Sequence, residues 1–112
     1  MENITMMELK EKGLIINGSK VTYNGKPCVL DFYADWCAPC KPQLLVLNEL
    51  SNEHKEVNFF KVNVEDEYEL AELLHIKNLP TVYILNKEIK TFSGFTQKNR
   101  IKEVLNNTIK IS

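Results

Sequence analysis

Cys37 and Cys40, separated only by Ala38 and Pro39, are the residues whose type and spacing could do chemistry. They sit in Trp36-Cys37-Ala38-Pro39-Cys40-Lys41, where an apolar run ends and a helical pattern begins. At a helix N-terminus several backbone N–H groups lack partners, and the helix dipole adds partial positive charge. Both favour a thiolate over a thiol, so a cysteine placed there becomes a nucleophile near neutral pH. Pro39 suits a first helical turn because that position needs no N–H partner. Cys37 is the outer of the two and the expected thiolate, and Cys40 lies nearly one turn on, within disulfide reach. Such a pair suits a two-step exchange: Cys37 attacks a disulfide, and Cys40 resolves the mixed disulfide that results.

Two other readings of the pair exist. Half of a zinc site needs two further ligands at suitable spacing, and only Cys28, His54 and His75 remain, scattered along the chain. Two inert buried thiols are the other, against which Trp36 and Pro39 at a strand-to-helix turn weigh. Cys28 reads as a small apolar residue, and His54 and His75 as solvent-facing helix residues. No metal and no bound cofactor are expected.

The elements that must position the cysteines follow from periodicity. Cys28–Tyr33 is an almost continuous apolar run, as in a strand covered on both faces. Leu44, Leu47 and Leu50 mark a helix starting at Ala38 or Pro39, and Val57–Val62 is a second strand. Strand, helix, strand at this spacing predicts a βαβ unit with parallel strands. Glu67–His75 reads as a helix with Leu70, Leu73 and Leu74 inward, then Thr81–Leu85 and Ile89–Phe92 as a hairpin. Thr96 is positioned to cap a last helix carrying Ile101, Val104 and Leu105. Upstream, Thr5 and Glu8 form a capping box for a helix over 5–12, with Gly13 as its stop. Leu14–Ile16 and Val21–Tyr23 then read as strand, turn, strand. The fold class is α/β, with a central mixed sheet of four to five strands and helices on both faces.

The chain has 112 residues, 44% hydrophobic and 26% charged, with a formal net charge of −1. That length predicts one domain, residues 1–112, with residues 1–25 as an atypical opening segment. Near-neutral charge gives no electrostatic case for nucleic acid or an anionic membrane surface. No apolar run reaches the roughly 18–20 residues that span a bilayer. The polar start lacks the basic-then-apolar pattern of a secretory signal, so a cytoplasmic protein is expected, with an exported mature domain as the alternative.

Val29-Leu30-Asp31-Phe32-Tyr33-Ala34-Asp35-Trp36-Cys37-Ala38-Pro39-Cys40-Lys41 resembles the active-site strand and motif of the thioredoxin family. Leu79-Pro80-Thr81 is similar to that family's cis-proline loop, and Ser93-Gly94-Phe95 stands where its active-site glycine stands. The three landmarks agree in spacing and cover about residues 26–110. The resemblance implies a thioredoxin fold and a protein-disulfide reductase, a monomer recharged by an NADPH-dependent flavin reductase and acting on disulfide-containing client proteins. It implies a proton acceptor at Asp31, whose place inside an apolar strand already raises its pKa, and a lysine at Lys61 that tunes it. It implies a cis peptide before Pro80, Leu79 as the residue whose backbone pairs with substrate, and a docking face of Trp36, Ala38, Pro39, Leu79, Pro80, Thr81, Gly94 and Phe95. Phe95 has a second reading, folded under the last helix.

Two features depart from the family. Ala38-Pro39 replaces its common Gly-Pro, a dipeptide that tunes redox potential, and a helix opens the chain where the family starts with strand then helix. Beside the reductase stand two rivals: an exported reductase, oxidase or isomerase with dedicated clients, and a non-catalytic binding module on the same fold.

Overall fold

Strand β4, Cys28–Tyr33, is apolar apart from Asp31 because it runs through the middle of the molecule. It pairs in parallel with β5, Asn58–Asn63, and antiparallel with β6, Thr81–Leu85. The computed structural model describes residues 1–109. Its main sheet has the order β1-β5-β4-β6-β7, where β1 is Glu2–Asn3 and β7 is Lys90–Ser93. β1 lies parallel to β5, with Asn3 opposite Lys61. The sheet is therefore mixed, and the chain opens with strand then helix after all. Two residues are too few to show any alternation, so β1 leaves no trace in the sequence pattern.

Alternate β4 residues serve opposite faces, the period of two that a strand imposes. Cys28, Leu30 and Phe32 join a core with Leu9, Leu14, Val62, Leu70 and Leu74. That face is covered by α1 (Met6–Lys12), the separate hairpin β2 (Leu14–Asn17) and β3 (Lys20–Tyr23), and α3 (Tyr68–Leu73). Val29, on the other face, packs with Leu47, Leu50, Phe59, Val82, Ile101 and Leu105. There the cover is α2 (Cys40–Glu53) and α4 (Lys98–Ile109). Asp31 shares this second face, directed toward α2 rather than α3.

The opening helix has both halves of its capping box, and Gly13 closes it at φ 127°. Positive φ is cheap for glycine alone, so the chain reverses there into β2. His54, contrary to the expectation of a solvent-facing helix residue, caps the end of α2 and is buried. Its ring nitrogens contact the Leu50 carbonyl at 3.2 Å and Asn106 Oδ1 at 3.0 Å, tying α2 to α4. His75 is exposed but lies in the turn beyond α3, at φ 57°.

Thr96 does not cap α4. It is buried, and its hydroxyl donates to the Gly94 carbonyl at 3.1 Å. Its backbone instead makes a two-way bond with Gln43, a fully buried amide on α2. Thr96 N–H donates to Gln43 Oε1 at 2.8 Å, and Gln43 Nε2 donates to the Thr96 carbonyl at 3.1 Å. Gln43 thus fixes the loop that carries Gly94 against the helix that carries Cys40. Gln43→Ala strips both partners from a buried backbone and should destabilise the fold by about 2–4 kcal/mol. Urea unfolding would check this, and a cost under about 0.5 kcal/mol would show that the loop finds other partners.

Candidate active site

The strand-to-helix passage from β4 to α2 places the cysteines. Cys37 N–H donates to the Ala34 carbonyl at 3.1 Å, closing a turn directly after the strand. Ala38 and Pro39 form a second turn, and α2 begins at Cys40, one or two residues later than the apolar spacing suggests. Pro39 occupies the N-cap position without any side-chain capping bond, and the first turn has no acidic residue. Nothing on the helix itself therefore offsets the positive end of its dipole beside Cys37.

Cys37 and Cys40 are joined in a disulfide, their Cα atoms 5.4 Å apart, and both are buried in that state. Ala34, Tyr33, Val64 and Leu79 pack around them. Cys28, the remaining cysteine, is fully buried, and burial pushes its thiol up to about 12. It stays protonated and inert.

Two hollows meet at the disulfide. The larger is an open groove of about 690 Å³ lined by Trp36, Cys37, Ala38, Pro39 and Leu79 on one side. Val64, Tyr68, Ala71, Glu72 and Ile76 line the other. Trp36 is 70% exposed, and its indole N–H donates to Glu65 Oε2 at 3.0 Å, which holds the ring at the groove's edge. Tyr68, 71% exposed, stands on the opposite wall. The sequence does not announce the α3 wall, because Tyr68 stands among the acidic residues of 65–72 without a motif.

The smaller hollow, about 220 Å³, lies behind the disulfide. Cys37 and Cys40 both line it, with Asp31, Tyr33, Asp35, Lys41 and Lys61. Asp31 is 1% exposed, and its Oδ1 has no hydrogen-bond partner among the described residues. Burial pushes its carboxyl up to about 7, against a smaller downward pull from the Lys61 charge. Asp31 and Lys61 face each other in the β4–β5 register.

The Leu79–Pro80 peptide is cis. Gly94 N–H donates to the Pro80 carbonyl at 2.8 Å, and Asn78 Nδ2 donates to Ser93 Oγ at 3.1 Å. These bonds stitch the proline loop to the end of β7. Of the expected docking residues, Trp36, Ala38, Pro39 and Leu79 line the groove; Pro80, Thr81, Gly94 and Phe95 do not. Pro80 and Thr81 are buried, Thr81 donating its hydroxyl to the Asn78 carbonyl, so both shape the loop from beneath. Gly94, at φ 79°, has open space where a Cβ would stand. Phe95 is 47% exposed and is not folded under α4.

The sequence profile of the Thioredoxin family matches residues 17–107, most of the chain. The chain belongs to the thioredoxin family. It is similar to the thioredoxin of Mycoplasmoides gallisepticum, 37% identical over 82 residues that cover 71% of this chain and 82% of that one. Among solved structures, a thioredoxin of Fasciola hepatica superposes with a TM-score of 0.77 at 29% identity, covering 96% of this chain and 99% of that one. Chloroplastic thioredoxin z gives 0.78 at 26% identity, over 96% of this chain and 93% of that one. With its cysteine pair in place, this member of the thioredoxin family is a thiol–disulfide oxidoreductase. No helix among the described residues is long and apolar enough to cross a membrane.

Proposed function

We propose that the protein reduces the disulfides of client proteins, with Cys37 as nucleophile, Cys40 as resolving thiol and Asp31 as proton acceptor. One observation supports these roles above the rest. Cys37 borders both hollows, whereas Cys40 borders only the one that holds Asp31. A client disulfide approaching along the groove meets the Cys37 sulfur first.

In the first step the Cys37 thiolate attacks one client sulfur, and the other client sulfur leaves as a thiolate. Cys40 then gives its proton to Asp31, directly or through water that the cavity admits, and attacks the Cys37 sulfur. The client sulfur held in the mixed disulfide then leaves as the second thiolate, so the client gains two electrons and the Cys37–Cys40 disulfide carries their loss. An NADPH-dependent flavin reductase returns the two electrons as a separate protein. Lys61 lowers the cost of the Asp31 charge, and Leu79 offers its backbone to the client as an added strand would. Trp36, Ala38 and Pro39 form one groove wall, while Pro80, Thr81, Gly94 and Phe95 shape the loops beside it. The enzyme works as a single-domain monomer, in the reducing cytoplasm where disulfides are rarely structural.

A dithiol-driven insulin precipitation assay tests the reading. Catalytic amounts of the protein should shorten the lag severalfold relative to the dithiol alone. An unchanged lag would reject the reductase and favour a binding module on this fold.

A further inference from the structure

Lys61 and Asp31 face one another across β4 and β5, yet no ion pair within 4.0 Å joins them among the described residues. The Lys61 ammonium instead lies over the Tyr33 ring, 5.4 Å from its centroid. Such a cation–π contact holds a charge with modest strength when the site is partly covered from water. Tyr33 is itself anchored: its hydroxyl donates to Asn3 Oδ1 at 2.9 Å. Asn3 stands on β1 directly opposite Lys61, and the Ile4 N–H donates to the Lys61 carbonyl at 3.0 Å. The edge strand, the ring and the lysine thus form one assembly over the cavity that contains Asp31.

We propose that Tyr33, anchored through its hydroxyl to Asn3, is a positioning residue that parks the Lys61 ammonium away from Asp31 and so sets the pH at which that carboxyl exchanges its proton. A closer ammonium would favour the carboxylate and weaken Asp31 as a base; a parked one leaves burial in control. The remaining titratable groups lining the cavity are Asp35, Lys41, Cys37 and Cys40. In the disulfide state the two cysteines do not titrate, which leaves Lys61 as the cation that Tyr33 directly restrains. The consequence for turnover rests on Asp31 being the proton acceptor, but the test below does not.

The test follows the Asp31 carboxyl by 13C NMR in the disulfide form, its signal assigned by its loss in Asp31→Asn. Tyr33→Leu should move the Asp31 midpoint toward acid by about one pH unit. Tyr33→Phe, which keeps the ring, should recover most of that shift. Tyr33→Leu combined with Lys61→Met should abolish the acid shift, because no ammonium remains to swing inward. An unmoved midpoint in Tyr33→Leu would overturn the proposal, and so would a full acid shift persisting in the double variant. If Tyr33→Leu does not fold, Asn3→Ala releases the ring's anchor and should shift the midpoint the same way by a smaller amount; no shift there counts against the proposal equally. Normal turnover in Asp31→Asn would remove the proton-acceptor role without touching these NMR outcomes.

Discussion

Cys40→Ser should cut catalytic turnover of a disulfide client by at least about a hundredfold while leaving the first attack intact. The serine oxygen is too weak a nucleophile toward sulfur to expel the client, so the reaction stops at the mixed disulfide on Cys37. Because Cys37 borders the open groove, clients should remain attached there through a covalent bond that an added dithiol releases. Non-reducing electrophoresis should show the adducts, with a dithiol-treated sample as control. Cys37→Ser should lose turnover to the same extent but trap nothing, since Cys40 borders only the inner cavity. The asymmetry between the two variants is the informative result. Equal trapping by both would mean that the sulfurs are interchangeable, and the assignment of an outer nucleophile would fall.

Much of this site was readable in the sequence because its determinants are local. A buried strand announces itself by an unbroken apolar run, and Cys28–Tyr33 occupies its expected span. A capping box needs only Thr5 and Glu8, and it forms. What escaped depends on contacts far apart in the chain. Gln43 belongs to no motif, yet its amide is consumed by a backbone 53 residues away. His54 reads as a surface residue until Asn106 on α4 is brought to it. The outer groove wall at Tyr68 has no motif of its own, because α3 is an ordinary amphipathic helix whose exposed face happens to flank Cys37. Thr96 offers a plausible cap, but its hydroxyl turns back to the Gly94 carbonyl while its backbone is held by Gln43 on α2.

Asp31→Asn should stabilise the disulfide form at pH 8 by about 2–4 kcal/mol and slow turnover at pH 7 by about tenfold or more. The sign follows from the two states of the carboxyl. In the folded protein Asp31 keeps its proton up to about 7, whereas its ordinary value is 3.8. Below pH 3.8 both states are protonated, and the folded state pays no penalty for a buried charge. As pH rises from there to about 7 the unfolded chain ionises freely and the folded one resists, so stability drains away through that window. The full penalty above it is on the order of 4 kcal/mol, reduced in practice because the new amide is also buried among few partners. The gain from asparagine should therefore be near zero at pH 4 and level off above pH 7, measured by urea unfolding of the oxidised protein at each pH. Working with the disulfide removes the Cys37 and Cys40 thiols from the titration, and Cys28 stays protonated, so the pH dependence of the difference belongs to Asp31. A gain that stays constant from pH 4 to 8 would mean that the carboxyl ionises in the folded state at no cost, as it does in the unfolded chain, and a gain still climbing at pH 8 would mean that it stays protonated there. Either would deprive Cys40 of a base of matched strength. The slower turnover and the greater stability are two faces of one placement: a carboxyl held where its charge is costly is the one that accepts a proton readily near neutral pH.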